Sequence, residues 1–103
     1  MNIKEVKVTE VGPRDGFQSE KTILKTEDKI DIINNLIEAG FPRIEVSSFV
    51  SPKAIPQLAD AESILGKVNR SSKTTLAALV PNSRGALRAV EAKLDQIVVF
   101  LSA

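Results

Sequence analysis

A chain of 103 residues with 14 basic and 13 acidic side chains is at most one small domain of near-neutral charge. Its basic residues are spread along the chain and its aromatic residues are four Phe, so it has neither the electrostatic footprint nor the stacking platform of a nucleic-acid-binding protein. It has no Cys and no His, which excludes disulfides, thiolate metal sites, and imidazole as a general base or metal ligand.

No apolar run reaches the length of a membrane span, and the N-terminus has neither an apolar signal core nor an Arg/Ser-rich transit pattern. The expectation is a soluble, unprocessed chain with no membrane partner, cytoplasmic if its source is bacterial.

Val6-Lys7-Val8-Thr9-Glu10-Val11 alternates apolar and polar residues and predicts a first strand. The stretch VGPRDGFQSE (11–20) follows as a loop, with Arg14, Asp15, Gln18 and Glu20 set around two glycines and a proline. Thr26-Glu27-Asp28 offers an N-cap followed by first-turn acids, and Ile30, Ile33, Leu36 and Ile37 recur at helical spacing. The spacing predicts a helix over 26–39, closed by Gly40 at the C′ position and Pro42 beyond. Arg43–Ser47 is a second strand, and 48–55 a loop broken by Pro52. A second helix is expected from Pro56, with Leu58, Ala61, Ile64, Leu65 and Val68 on one face. Thr74–Val80 is a third strand. Asn82 caps a third helix with Leu87 and Val90 expected inward, and Gln96–Leu101 is a fourth strand.

The order βαβαβαβ, with apolar third and fourth strands, points to a parallel α/β fold. Glu38-Ala39-x-Phe41-x-x-Ile44-x-Val46 returns as Glu91-Ala92-x-Leu94-x-x-Ile97-x-Val99, one helix-to-strand step used twice. A doubly wound sheet and a (β/α)₈ barrel both fit.

In either architecture ligands meet the carboxyl ends of the strands. There the chain places Arg14, Asp15 and Gln18, then Ser47, Ser48, Ser51 and Lys53, then Pro81-Asn82. Asp15 is a hard oxygen donor suited to Mg²⁺ or Mn²⁺, and Arg14 could stabilise an oxyanion or clamp a carboxylate. The alternative is a turn that the two charges merely lock. Glu45, interior to a central strand, must be paired if buried, by a cation or by Arg14. Gly12, Pro13 and Gly16 shape the loop, and Asn82 reads as a helix cap. Ser47, Ser48 and Ser51 have no base partner, which leaves them binding or capping roles.

The segments EVGPRDGFQSE, IEVSSFVSPKAIPQLAD and LVPN resemble the N-terminal part of the hydroxymethylglutaryl-CoA lyase family, over essentially the whole chain. The first two favour that family over isopropylmalate and homocitrate synthases, which share only the Arg-Asp-Gly-x-Gln core. The resemblance implies a partial (β/α)₈ TIM barrel: first four strands, three helices, residues 1–103 being one incomplete domain. It also implies cleavage of 3-hydroxy-3-methylglutaryl-CoA to acetyl-CoA and acetoacetate with a divalent metal, Mg²⁺ or Mn²⁺. Asp15 matches the family's metal ligand, Arg14 the residue that stabilises the enolate, and Glu45 a strand-2 glutamate of the active-site network. Gln18 and Ser48 match positions near the substrate. The eukaryotic relatives work in the mitochondrial matrix.

The family's remaining metal ligands, a His-x-His pair and an Asn, lie on later strands, as does a catalytic Cys. The chain is therefore expected to be a truncated product, a gene fragment or an excerpt of a longer enzyme, inactive alone and prone to self-associate as a homo-oligomer. Lys93 stands where the family often ends its third helix with Gly. The competing expectations are a stand-alone non-enzymatic module that assists a full-length homologue, or a related acyl-CoA-dependent aldolase or synthase.

Overall fold

The computed structural model describes residues 5–100. Strands and helices alternate as β1 (Thr9–Glu10), α1 (Thr26–Glu38), β2 (Arg43–Ser48), α2 (Ala61–Lys67), β3 (Thr75–Leu79), α3 (Ser83–Glu91) and β4 (Gln96–Val98). All the strands pair in parallel, in the spatial order β1-β2-β3-β4. That order separates the two architectures open from sequence. A doubly wound sheet reverses its direction of growth to cover both faces. Here every strand adds to the same edge, and right-handed crossovers then put all the helices on one face. The core agrees: Ile33 of α1, Ile64 of α2 and Ala89 of α3 share one cluster with Ile44, Val46 and Leu76 of the sheet. The opposite face is the one a barrel turns inward.

β2 contains the feature that matters most for the site. Its pairing with β3 slips by one residue between Glu45 and Ser47, so that Ser48 lies opposite Leu79. Side chains alternate along a strand, so without the slip Ser48 would share the core-side face of Ile44 and Val46. Leu79 shares its face with Ala77, the partner of Glu45. The bulge therefore turns Ser48 onto the face of Glu45.

The two helix-to-strand steps suggested by the internal repeat are one motif in space. Gly40 N–H bonds the Ile37 carbonyl and Phe41 N–H the Leu36 carbonyl; Lys93 and Leu94 repeat this onto Val90 and Ala89. Gly40 and Lys93 take the left-handed conformation the motif needs, at φ +90° and +59°.

Several expected boundaries move. The first strand shrinks to Thr9–Glu10, with Val6 and Val8 exposed at the sheet edge. Lys25, not Thr26, occupies the N-cap position of α1, because the Thr26 hydroxyl instead donates to Asp60 Oδ2 at 2.7 Å. Pro56–Leu58 is a separate tight helical turn, and α2 begins only at Ala61. β3 is a residue shorter at each end, and β4 covers Gln96–Val98, Leu101 lying outside the described residues.

The largest correction concerns α3. Leu87 and Val90 face outward, 68% and 74% exposed, while Gly85 and Ala89 are buried. The helix approaches too closely for a large side chain, since a Cβ on Gly85 would lie 2.6 Å from the Phe49 carbonyl oxygen. Among the described residues no helix is long and apolar enough to cross a membrane.

Candidate active site

The loop after β1 does not run as an open turn. Gly12–Gly16 form one wide helical turn, closed by the Phe17 N–H on the Gly12 carbonyl and the Asp15 N–H on the Val11 carbonyl at 2.7 Å. Such wide, under-wound turns recur at functional sites. Pro13 is buried beneath it, and Glu10 Oε1 accepts from the Gly12 N–H at 3.2 Å. A Cβ on Gly12 would come within 2.8 Å of that same oxygen. Gly12 and the buried Pro13 thus open a turn that folds over the end of β1.

The turn lifts Arg14 and Asp15 apart in environment though they adjoin in sequence. The Arg14 side chain is 14% exposed and donates from Nε to Glu45 Oε1 at 3.0 Å, Glu45 itself being 10% exposed. The charge-assisted hydrogen bond fixes the orientation of both side chains. Asp15 is 66% exposed, and Arg14 Nη1 reaches its Oδ1 only at 3.4 Å. Arg14 is therefore held by Glu45 rather than by Asp15. The Asp15 carboxylate keeps lone pairs available for a further partner.

Ser48 ends β2 on the Glu45 face, and neither its hydroxyl nor that of Ser47 has a hydrogen-bond partner among the described residues, although both are buried. Unpartnered buried hydroxyls in a folded chain call for an acceptor or donor from elsewhere. Gln18 is half-buried one turn beyond Asp15, and no hydrogen bond among the described residues joins it to Arg14, Asp15 or Glu45. Asn82 caps α3 as expected, its Oδ1 accepting from the Gly85 N–H at 2.8 Å.

Sequence reasoning missed the clamp that fixes the loop carrying Phe49 to Lys53. Arg88 grips both Glu62 oxygens at 2.7 Å, donates to the Val50 carbonyl at 3.2 Å, and lies 5.3 Å from the centre of the Phe49 ring. The hydrogen bonds from Arg88 pull the Glu62 carboxyl below its ordinary range, and Glu62 in turn raises Arg88. The only available sequence signal is an acid and a base on successive helices, which is too common to select.

Can this arrangement hold a divalent metal? Asp15 offers one hard, exposed carboxylate with an oxygen to spare, which fits a single protein ligand of Mg²⁺ or Mn²⁺. No group of three or more Asp, Glu, His or Cys suited to a metal occurs among the described residues. Asp15 fits as one member of a set completed by other donors.

Residues 5–103 match the family model described as HMGL-like. The chain is 48% identical over 100 residues to a hydroxymethylglutaryl-CoA lyase of Bacillus subtilis, covering 97% of this chain and 33% of that protein. It is 46% identical over 100 residues to the mitochondrial hydroxymethylglutaryl-CoA lyase of Arabidopsis thaliana, covering 97% of this chain and 21% of that one. A crystal structure of the Bacillus subtilis HMG-CoA lyase superposes with a TM-score of 0.92 at 46% identity, over 96% of this chain and 33% of its own. The HMG-CoA lyase of Acinetobacter baumannii, solved with coenzyme A and 3-methylmalate, superposes at 0.90 and 46% identity over the same shares. These neighbours are TIM barrels, and the four strands here correspond to part of one. The chain spans a third or less of the length of these relatives.

Proposed function

The chain belongs to the HMGL-like family, and from that premise we propose that it supplies the first part of an active site cleaving 3-hydroxy-3-methylglutaryl-CoA to acetyl-CoA and acetoacetate. The observation that carries the reading is the Arg14–Glu45 pair at the carboxyl end of the sheet, beside an exposed Asp15 carboxylate.

The cleavage breaks a carbon–carbon bond next to a tertiary alcohol. The hydroxyl gives its proton to a base, and its oxygen becomes the ketone of acetoacetate. The departing electron pair becomes the enolate of acetyl-CoA, and one proton returned to that enolate carbon completes acetyl-CoA. Charge therefore develops on the thioester oxygen. Arg14 is the group to meet it. Its Nε is committed to Glu45, so its orientation is set before the substrate arrives, and its remaining N–H groups can face the oxygen without reorganising. Glu45 acts as the positioning residue.

Asp15 would hold the divalent metal, Mg²⁺ or Mn²⁺. When bound, that ion supplies Lewis acidity and a template for the substrate's hydroxyl and carboxylate oxygens. Ser48, turned onto the same face by the bulge, offers its unpartnered hydroxyl to the substrate, and Gln18 lies within the same loop. An acyl-CoA is the substrate class, the remaining ligands come from sequence that the family carries on later strands, and a bacterial chain of this kind would work in the cytoplasm.

The test is a chimera in which these residues replace the corresponding third of the Bacillus subtilis relative. The proposal expects acetoacetate from the CoA substrate with Mg²⁺ or Mn²⁺ present. A folded chimera with no turnover would refute it.

A further inference from the structure

Asp60 occupies the N-cap position of α2, yet its side chain makes no cap hydrogen bond. It is spent on α1 instead. Thr26 Oγ1 donates to Asp60 Oδ2 at 2.7 Å, and Lys29 Nζ donates to Asp60 Oδ1 at 2.9 Å and Oδ2 at 3.2 Å. Lys29 is 1% exposed and also donates to the Gln57 carbonyl, while Gln57 Nε2 donates to the Glu20 carbonyl at 3.2 Å.

This node joins two segments that leave the rim of the candidate site. Residues 17–25 run from the turn of Arg14 and Asp15 to α1 and include Gln18; residues 49–60 run from Ser48 to α2. The Arg14–Glu45 pair ties their starts together, and the node ties their far ends. It sits between α1 and α2, with every partner inside this chain, so its burial does not depend on the strands that the relatives add. Burying an ammonium is expensive, and a buried ion pair can often be replaced by apolar side chains with no loss of stability. Apolar packing cannot supply direction, whereas Lys29 orients a backbone carbonyl and a carboxylate at once.

We propose that Lys29 is a positioning residue for the acyl-CoA site, acting with Thr26 and Asp60. It couples the two segments, so that Gln18 and Ser48 meet the substrate in a fixed relation. The inference rests on the lyase reading. Arg14 is held separately by Glu45, and the Asp15 backbone by its own turn. The coupling therefore bears on substrate binding, not on metal binding or bond cleavage.

The test uses the chimera with the Bacillus subtilis relative and its Lys29→Met/Asp60→Leu double variant, which replaces the ion pair by apolar side chains. The proposal expects a melting temperature at or above the parent's, unchanged Mn²⁺ affinity, and a KM for the CoA substrate raised about tenfold with kcat within about twofold. Thr26→Val should raise KM in the same direction and Thr26→Ser should not, since only serine keeps the hydroxyl; this pair carries the test if the double variant does not fold. Hydrogen exchange supplies a readout without turnover. The Ser19 and Glu20 amides of one segment and the Leu58 and Ala59 amides of the other, each bonded within its own segment or turn, should exchange faster together in the double variant. An inactive parent chimera would refute the lyase reading, and exchange would still decide the coupling. Parent-like exchange in both segments overturns the proposal, as does a parent-like KM in a folded variant or a loss confined to kcat.

Discussion

Arg14 and Asp15 adjoin in the chain but do different work. The guanidinium is buried against Glu45 and the carboxylate stands in solvent. In the chimera, Arg14→Lys should leave Mn²⁺ affinity unchanged and lower kcat by about 10²-fold, the usual loss for one oxyanion stabiliser. A lysine cannot both reach Glu45 and present a fixed fork to the substrate. Near-normal turnover of that variant would remove Arg14 from the chemistry. This much was legible in sequence, because a buried strand glutamate demands a cation and the chain offers one at the neighbouring strand end. The turn of Ser48 toward Glu45 was not. It depends on a register slip against β3, and register is a property of two strands rather than of either sequence.

At the scale of elements, helix ends and helix faces differ in how well the sequence exposes them. The paired Gly40 and Lys93 steps are visible as a repeat because each end is set by its own few residues. Lys93 is strained there at φ +59°, with its carbonyl already taken by Arg70 Nη1 at 2.6 Å. Lys93→Gly should therefore raise stability by about 0.5–1 kcal/mol, read as a higher denaturant midpoint at unchanged slope; a lower midpoint would refute the strain. The inward face of α3 was misread since apolar spacing marks Leu87 and Val90 as readily as Ala86 and Ala89, and only the approach to Phe49 decides between them. The Arg88–Glu62 clamp between α2 and α3 has a pH signature. Glu62's carboxyl is lowered in the folded state, so its contribution is present above the unfolded pKa and is lost as pH falls through the folded one. Because Glu62 is half exposed, the effect stays below about 1 kcal/mol. Glu62→Gln should flatten that part of the acid limb of a stability–pH curve, and an unchanged limb would show that the clamp contributes nothing.

At the largest scale the described residues form an open stretch of parallel sheet, which the TIM-barrel neighbours close. A (β/α)₈ barrel takes about 250 residues and closure removes its edges. Here β1 and β4 are both edges, and Val6 and Val8 at one side and Leu87, Val90, Ile97, Val99 and Phe100 at the other are exposed. Such edges and apolar surfaces promote association. The 103-residue chain alone should self-associate or unfold in part, and should form no acetoacetate, since one carboxylate with water binds Mg²⁺ weakly. Sedimentation and thermal melting check the first statement, and a cooperative melt from a monodisperse monomer would contradict it. The central claim, that this segment brings a metal ligand and an enolate stabiliser to one rim, is tested most directly by Mn²⁺ titration of the chimera and its Asp15→Asn variant. The account predicts that Asp15→Asn weakens Mn²⁺ binding at least tenfold while Arg14→Lys does not; equal Mn²⁺ affinity in the parent and the Asp15 variant would contradict it.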